Sequence, residues 1–281
     1  MCGRYASSSR PEDLVEEFEV DQDRTREAGR SILVAPQSPP PGHPDFNIAP
    51  TKQAPVVLTR ADRDSPSATP TRQLRLLTWG LVPSWSKDVK VGLRLINARS
   101  ESLLGKSSFA RAAAARRCLV PADGWYEWQL SPTARDVKGK LRRQPFFVRR
   151  SDGALLAMAG LYEFWRDRSL DEDDPAAWLT TYTIITTAAE PGLDRIHDRQ
   201  PLVLERGDWD DWLDPTQTDL SSVTAHLDFS EPGRFDAYPV GKAVNSSGNN
   251  GEQLLLPAVR ADLAGVVDPV SGEVIDEIIG T

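Results

Sequence analysis

CLVPADGWYEWQL, residues 118–130, is the stretch whose reading decides the fold. It predicts two short strands, 118–120 and 125–130, separated by Pro121 and Gly124. In the second, Trp125 and Glu127 fall on one face and Tyr126 and Trp128 on the other. Outward from this pair, further strands are predicted upstream at 55–59 (PVVLT) and 74–80 (LRLLTWG). Downstream they are predicted at 145–149, 154–161 and 181–187. Helices are few and short. Pro11, followed by Glu12 and Asp13, opens one over 11–19. Ser108 is placed to cap another in FARAAAARR, 109–117, and DWDDWL at 208–213 is a third. Residues 35–50, with six prolines, read as an extended loop. SPTARDVKGKLRRQ, ahead of the strand at 145–149, reads as the tip of a long hairpin, and the acidic RDRSLDEDDP as an insertion between strands. Many short strands, no βαβ alternation and no linker indicate a single α+β domain built on antiparallel strands. The stretch after about 257 reads as dispensable for the core.

The chain has 281 residues, 40% hydrophobic and 26% charged, with 8 Trp, 8 Phe and 5 Tyr. That composition excludes wholesale disorder and supplies a sizeable core. No apolar run reaches the ~18–20 residues that cross a bilayer, and no secretory signal is read at the N-terminus, so no membrane partner is expected. Two cysteines, Cys2 and Cys118, exclude a disulfide framework. The net charge of −8 opposes a globally basic nucleic-acid binder, yet Arg72–Arg117 holds ten Lys/Arg against two Asp/Glu. That block is either a phosphate-binding groove or a solvated face. Free thiols and the excess of Arg over Lys, 26 to 7, point to a cytoplasmic bacterial protein.

Cys2 is the most informative position. Initiator Met is commonly removed before a small residue, which would leave a free α-amine (reference pKa ~7.7–8.0) beside a thiol of ~8.5. Such a 1,2-aminothiol condenses with an aldehyde to an imine and closes a five-membered thiazolidine. His197, in IHDRQPLVL between two apolar runs, is either a general acid/base or a satisfied structural histidine. His43 and His226 carry less signal. Glu127 is either a proton-handling carboxylate or one partner of a salt bridge, since a buried unpaired charge is too costly. Asn97 and Arg99 in LINARSES share one side of an extended segment, where an amide and a guanidinium can address one ligand. Arg4 places a further cation near Cys2. Trp79 and Trp85 in WGLVPSW are core residues or platforms for an unpaired base. No GxGxxG, Walker A, HExxH or Cys/His zinc pattern is present, so neither cofactor nor metal is expected.

The order of these blocks is far more specific than any one of them. MCGRYA, FNIAPT, WGLVPSW, LINARSES, CLVPADGWYEW, IITTAA, IHDRQPLVL, YPVGKAVN and NNGEQLLLP together closely resemble the SRAP family. These are the SOS-response-associated peptidase or abasic-site-processing proteins. The resemblance covers residues 1–257 as the SRAP domain and leaves 258–281 as an acidic C-terminal tail outside it. It implies a barrel-like core of mainly antiparallel sheets with flanking short helices. It implies capture of abasic sites in single-stranded DNA, by a monomer, during the DNA-damage (SOS) response, with a possible AP-lyase and peptidase-type activity. By resemblance, Cys2 is the crosslinking nucleophile and Asn97 hydrogen-bonds at the linkage. Glu127 handles the Cys2 amine, and His197 is the acid/base for sugar opening and reversal. Arg4 and Arg99 contact phosphates, Trp85 is an aromatic wedge, and Thr186 lines the pocket. The competing reading is an N-terminal-nucleophile cysteine amidohydrolase using Cys2, His197 and Glu127.

Overall fold

The computed structural model describes residues 2–275 apart from 28, 33–35, 62–68, 172 and 228–232. Its elements, in chain order, are β1 (Tyr5–Ser7), α1 (Pro11–Glu17), β2 (Gln22–Asp23), β3 (Asp45–Ile48), β4 (Gln53–Arg60), β5 (Thr71–Trp79), β6 (Asn97–Arg99), α2 (Ala110–Ala115), β7 (Arg117–Ala122), β8 (Gly124–Arg135), β9 (Leu141–Arg150), β10 (Leu156–Arg166), β11 (Trp178–Ala188), β12 (Arg199–Pro201), α3 (Trp209–Leu213), α4 (Leu220–Leu227) and β13 (Phe235–Pro239).

Five strands close a barrel in the order β11-β10-β7-β4-β5. Four neighbour pairs in that ring are antiparallel, and the closing β5–β11 pair is parallel. Closure removes the free edges that an open sheet would expose. A second, five-stranded antiparallel sheet runs β13-β9-β8-β1-β3.

The period-2 alternation of side chains partitions the core. Val56, Leu58, Cys118, Val120, Met158 and Ile184 point into one buried cluster with Tyr5, Trp125 and Phe146. Their chain neighbours Val57, Leu119, Ala157 and Ile185 point the other way, to a cluster completed by Leu14, Phe18, Phe109, Trp209 and Trp212. The short helices therefore plate the barrel's outer face. Trp212 is pinned there by its indole N–H, which donates to the Cys118 carbonyl at 2.9 Å. The mainly antiparallel, barrel-cored α+β architecture is as the pattern and the resemblance imply. Among the described residues no helix is long and apolar enough to cross a membrane.

Several local expectations change. Ser108 does not cap α2: Phe109 occupies the N-cap position without a side-chain cap, because burial of its ring sets how the chain enters the helix. The polar stretch after Leu130 is mostly strand, since β8 runs to Arg135 and β9 begins at Leu141. The acidic stretch does lie between strands as read, β10 ending at Arg166 and β11 beginning at Trp178. Backbone pairing tolerates polar side chains wherever a strand faces solvent. Residues after 257 are not idle either. Val266 is buried in the main core cluster, with Leu263 and Ile275 packed beside it.

A candidate active site around Cys2

Pairing of β1 with β8 matches Tyr5 to Trp125 and Ala6 to Gly124. The Tyr126 N–H then donates to the Arg4 carbonyl at 2.9 Å. This antiparallel register lays residues 2–4 alongside 126–128 and brings the N-terminal segment to Glu127. From the barrel side, β6 pairs in parallel with β11, Asn97 opposite Ile184 and Arg99 opposite Thr186. Asn97 is thereby held facing the same segment, and its Nδ2 donates to the Cys2 carbonyl at 2.7 Å. The Trp79 indole N–H donates to the Ile96 carbonyl at 2.8 Å and fixes the approach of β6. Asn97 Oδ1 is buried and accepts no hydrogen bond among the described residues, so it remains available to a ligand donor.

The Cys2 side chain is fully buried. Burial first, and the nearby Glu127 charge second, push its thiol well above the ordinary range. Glu127 is itself enclosed, and burial, reinforced by the Asp198 charge, pushes its carboxyl up to about 7. A carboxyl poised there exchanges protons readily at neutral pH.

His197 lies between the short 3-10 turn Leu193–Arg195 and β12, with its backbone N–H donating to the Leu193 carbonyl at 3.0 Å. Its Nδ1 lies 3.0 Å from the Arg199 backbone N–H and 2.9 Å from the Asp198 carboxylate. Burial lowers its pKa, and the Asp198 carboxylate, 2.9 Å from Nδ1, acts in the opposite sense. Burial thus biases the ring toward its neutral form.

The other predicted residues take different places. Arg4 donates to Asn47 Oδ1 at 2.7 Å and to the Val244 carbonyl at 2.9 Å, and lies over the Trp128 ring at 5.8 Å. Arg99 is exposed and makes no ion pair among the described residues. Thr186 is buried, and both its carbonyl and its hydroxyl face the Arg199 guanidinium, at 2.6 and 3.5 Å. Trp85 is 57% exposed and lines a surface cavity of about 570 Å³ with Trp165, Lys87 and Arg168. No hydrogen bond or ring contact joins it to Cys2, Asn97, Glu127 or His197 among the described residues. Trp79 is buried against Tyr5 and Tyr182.

Two positioning groups are missing from the sequence reading. Tyr5 and Tyr182 share a buried 2.6 Å hydroxyl contact close to Cys2. Gln129, only 1% exposed, donates to the Arg195 carbonyl at 3.2 Å and exchanges two hydrogen bonds with the Val267 backbone, at 2.8 and 2.7 Å. It ties the His197 turn to the strand bearing Glu127. A glutamine two residues beyond a glutamate shares its strand face, and that parity was the available signal.

A cysteine, an amide, a carboxyl and an imidazole brought together where a barrel meets a second sheet define the class. The chain belongs to the SRAP family, whose model, SOS response associated peptidase, matches residues 1–247. Among similar proteins is the abasic site processing protein YoqW of Bacillus subtilis, 34% identical over 257 residues, covering 91% of this chain and 99% of that one. The mouse abasic site processing protein HMCES is 30% identical over 298 residues, covering 92% of this chain and 76% of its own length. A phage-related protein of Bordetella bronchiseptica superposes with a TM-score of 0.58 at 30% identity, covering 92% of this chain and all of that one. A Bacteroides thetaiotaomicron protein, at 20% identity and a TM-score of 0.66 with 92% and 100% coverage, shares the fold. Both curated relatives, YoqW and HMCES, are named for the processing of abasic sites.

Proposed function

We propose that the chain captures abasic sites in single-stranded DNA as a covalent thiazolidine formed by Cys2 once Met1 has been removed. The observation that carries this reading is the convergence on Cys2, whose carbonyl is held by Asn97 while the Glu127 charge acts on its thiol. An abasic sugar is mostly a closed hemiacetal. His197, which burial biases toward the neutral imidazole, moves the proton that opens the ring. Glu127 takes a proton from the Cys2 ammonium and frees the amine. The amine nitrogen bonds to C1′ of the aldehyde, and one water leaves to give the imine. The thiol sulfur then adds to the same carbon while its proton passes to the imine nitrogen. The net change is loss of one water.

A thiol kept protonated by burial suits this sequence, because the amine must react first and the thiol second. Loss of a C2′ proton from the imine would instead expel the 3′ phosphate, an AP-lyase side reaction. Shielding of damaged single strands during the SOS response follows from a stable adduct. The test is an oligonucleotide whose abasic sugar has been reduced to the alcohol. Without an aldehyde it should give no denaturant-resistant adduct, while the unreduced strand does. Equal capture of both, or amide turnover dependent on Cys2, contradicts the proposal and favours an N-terminal-nucleophile amidohydrolase.

A further inference from the structure

The strand that carries Glu127 does not stop at the site. β8 continues to Arg135 and returns as β9 from Leu141, forming a hairpin whose register shifts between Leu130 and Arg135. Arg135, Lys138, Lys140, Arg142 and Arg143 lie on its outer part, residues 131–144, against one acid, Asp136. Asp136 is occupied locally, its Oδ1 accepting the backbone N–H groups of Lys138 and Lys140 at 2.8 and 2.9 Å. None of the five cations makes an ion pair among the described residues. Arg135 donates to the Gly139 carbonyl at 2.8 Å and Arg142 to the Asp262 carbonyl at 2.7 Å. Neutral carbonyls orient a guanidinium without cancelling its charge.

The root of the hairpin is braced. Ser131 Oγ donates to the Gly265 carbonyl at 2.6 Å and accepts the Ala134 N–H at 2.8 Å. At the inner end Arg143 is close enough to His197 for its charge to act on that ring. In a chain of net charge −8, an uncompensated cationic arm rooted at the reaction centre is a directed feature. Gln129 to Arg135 spans roughly 20 Å of strand, enough for several nucleotides.

We propose that the β8–β9 hairpin is a rail for the phosphate backbone of the DNA strand leaving the Cys2 site. This rests on the abasic-site reading above and assigns the outgoing strand a path. Phosphate contacts of this kind supply affinity without base specificity and make it salt-dependent.

The test compares the wild type with Lys138→Glu/Lys140→Glu, and with the milder Lys138→Ala/Lys140→Ala as a control for folding. Each is given an abasic trinucleotide and 15-mers with the abasic site at the 5′ or the 3′ end. The expected result is capture of one 15-mer slowed about tenfold by the reversal and less by the neutral pair, with a shallower dependence on salt. The trinucleotide, too short to reach the tip, should be captured at the wild-type rate. The 15-mer that is affected gives the polarity of the strand. Unchanged capture of both 15-mers, or equal slowing of all three substrates, overturns the proposal. A wild type that forms no adduct refutes the capture chemistry instead. The rail is then judged by fluorescence anisotropy with undamaged 15-mers: weaker binding by the reversal supports it, and equal binding overturns it.

Discussion

Glu127 is subject to two opposed demands. Enclosure keeps water away from its carboxyl, and the same enclosure raises its pKa to about 7. A carboxyl whose folded-state pKa lies above its unfolded value binds its proton more tightly when folded. The stability it contributes is therefore present in acid and is lost as pH rises from about 4.5 to about 7. Glu127→Gln removes the buried charge and should raise Tm at pH 8 while leaving it nearly unchanged at pH 4, measured by thermal unfolding at both values. The gain corresponds to roughly 3 kcal/mol at most. Function should move the other way. Capture by Glu127→Gln should fall about a hundredfold at pH 7 and keep only the rise set by the α-amine near pH ~8. A Gln variant with the wild-type pH profile removes Glu127 from proton transfer. Asn97→Ala deletes the 2.7 Å bond to the Cys2 carbonyl, at about 1–2 kcal/mol. It should slow capture about tenfold in a timed adduct assay without moving the pH profile, which separates a positioning amide from a proton carrier.

Among the elements, the stretch after residue 257 shows how charge misleads. Its acidity reads as a solvated tail, yet it docks through its backbone and one buried Val266. Gln129 pairs with Val267, and Arg195 donates to the carbonyls of Pro269 and Val270 at 2.7 and 2.8 Å. Gly265, at φ +75°, sits where a Cβ would fall 2.5 Å from that of Ala134. Ending the chain after Pro257 exposes the core around Val266 and strips Gln129 of both bonds to Val267, a loss of several kcal/mol (about 2 for the side chain and 1–3 for the under-satisfied amide). Thermal unfolding of the shortened chain should show a Tm lower by about 5–10 °C; an unchanged Tm would return the stretch to the solvated class. The long strands are legible because short apolar runs rich in branched residues mark them: Val56 to Leu58 and Cys118 to Val120 are buried on both faces. β1, β6 and β12, three residues each, carry too few side chains for a period to show, and only their partners define them. α4 and β13 went unread for a related reason. Their apolar residues are few, and β13 is set by its pairing with β9.

The molecule as a whole places chemistry at a seam. Residues distant in sequence, Cys2, Asn97, Glu127 and His197, lie on or beside two sheets that meet where Asn97 bonds the Cys2 carbonyl, and no local pattern can announce such a meeting. Block order along the chain could, because each block supplies one wall of the seam: MCGRYA and GWYEW in the second sheet, LINARSES and IHDRQPLVL on the barrel. What block order could not convey is the environment. Burial raising Glu127 and lowering His197, Gln129 bracing the turn, and the cationic hairpin running outward all depend on packing. The central claim is that Cys2, once terminal, bonds covalently to an abasic sugar. Intact-protein mass after incubation with a single-stranded oligonucleotide bearing one abasic site tests it most directly. The account predicts a free protein lacking Met1, and a denaturant-resistant adduct at the sum of protein and DNA less one water, absent from Cys2→Ala. A protein with a free N-terminal Cys2 that gives no adduct, or an adduct that survives Cys2→Ala, would contradict it.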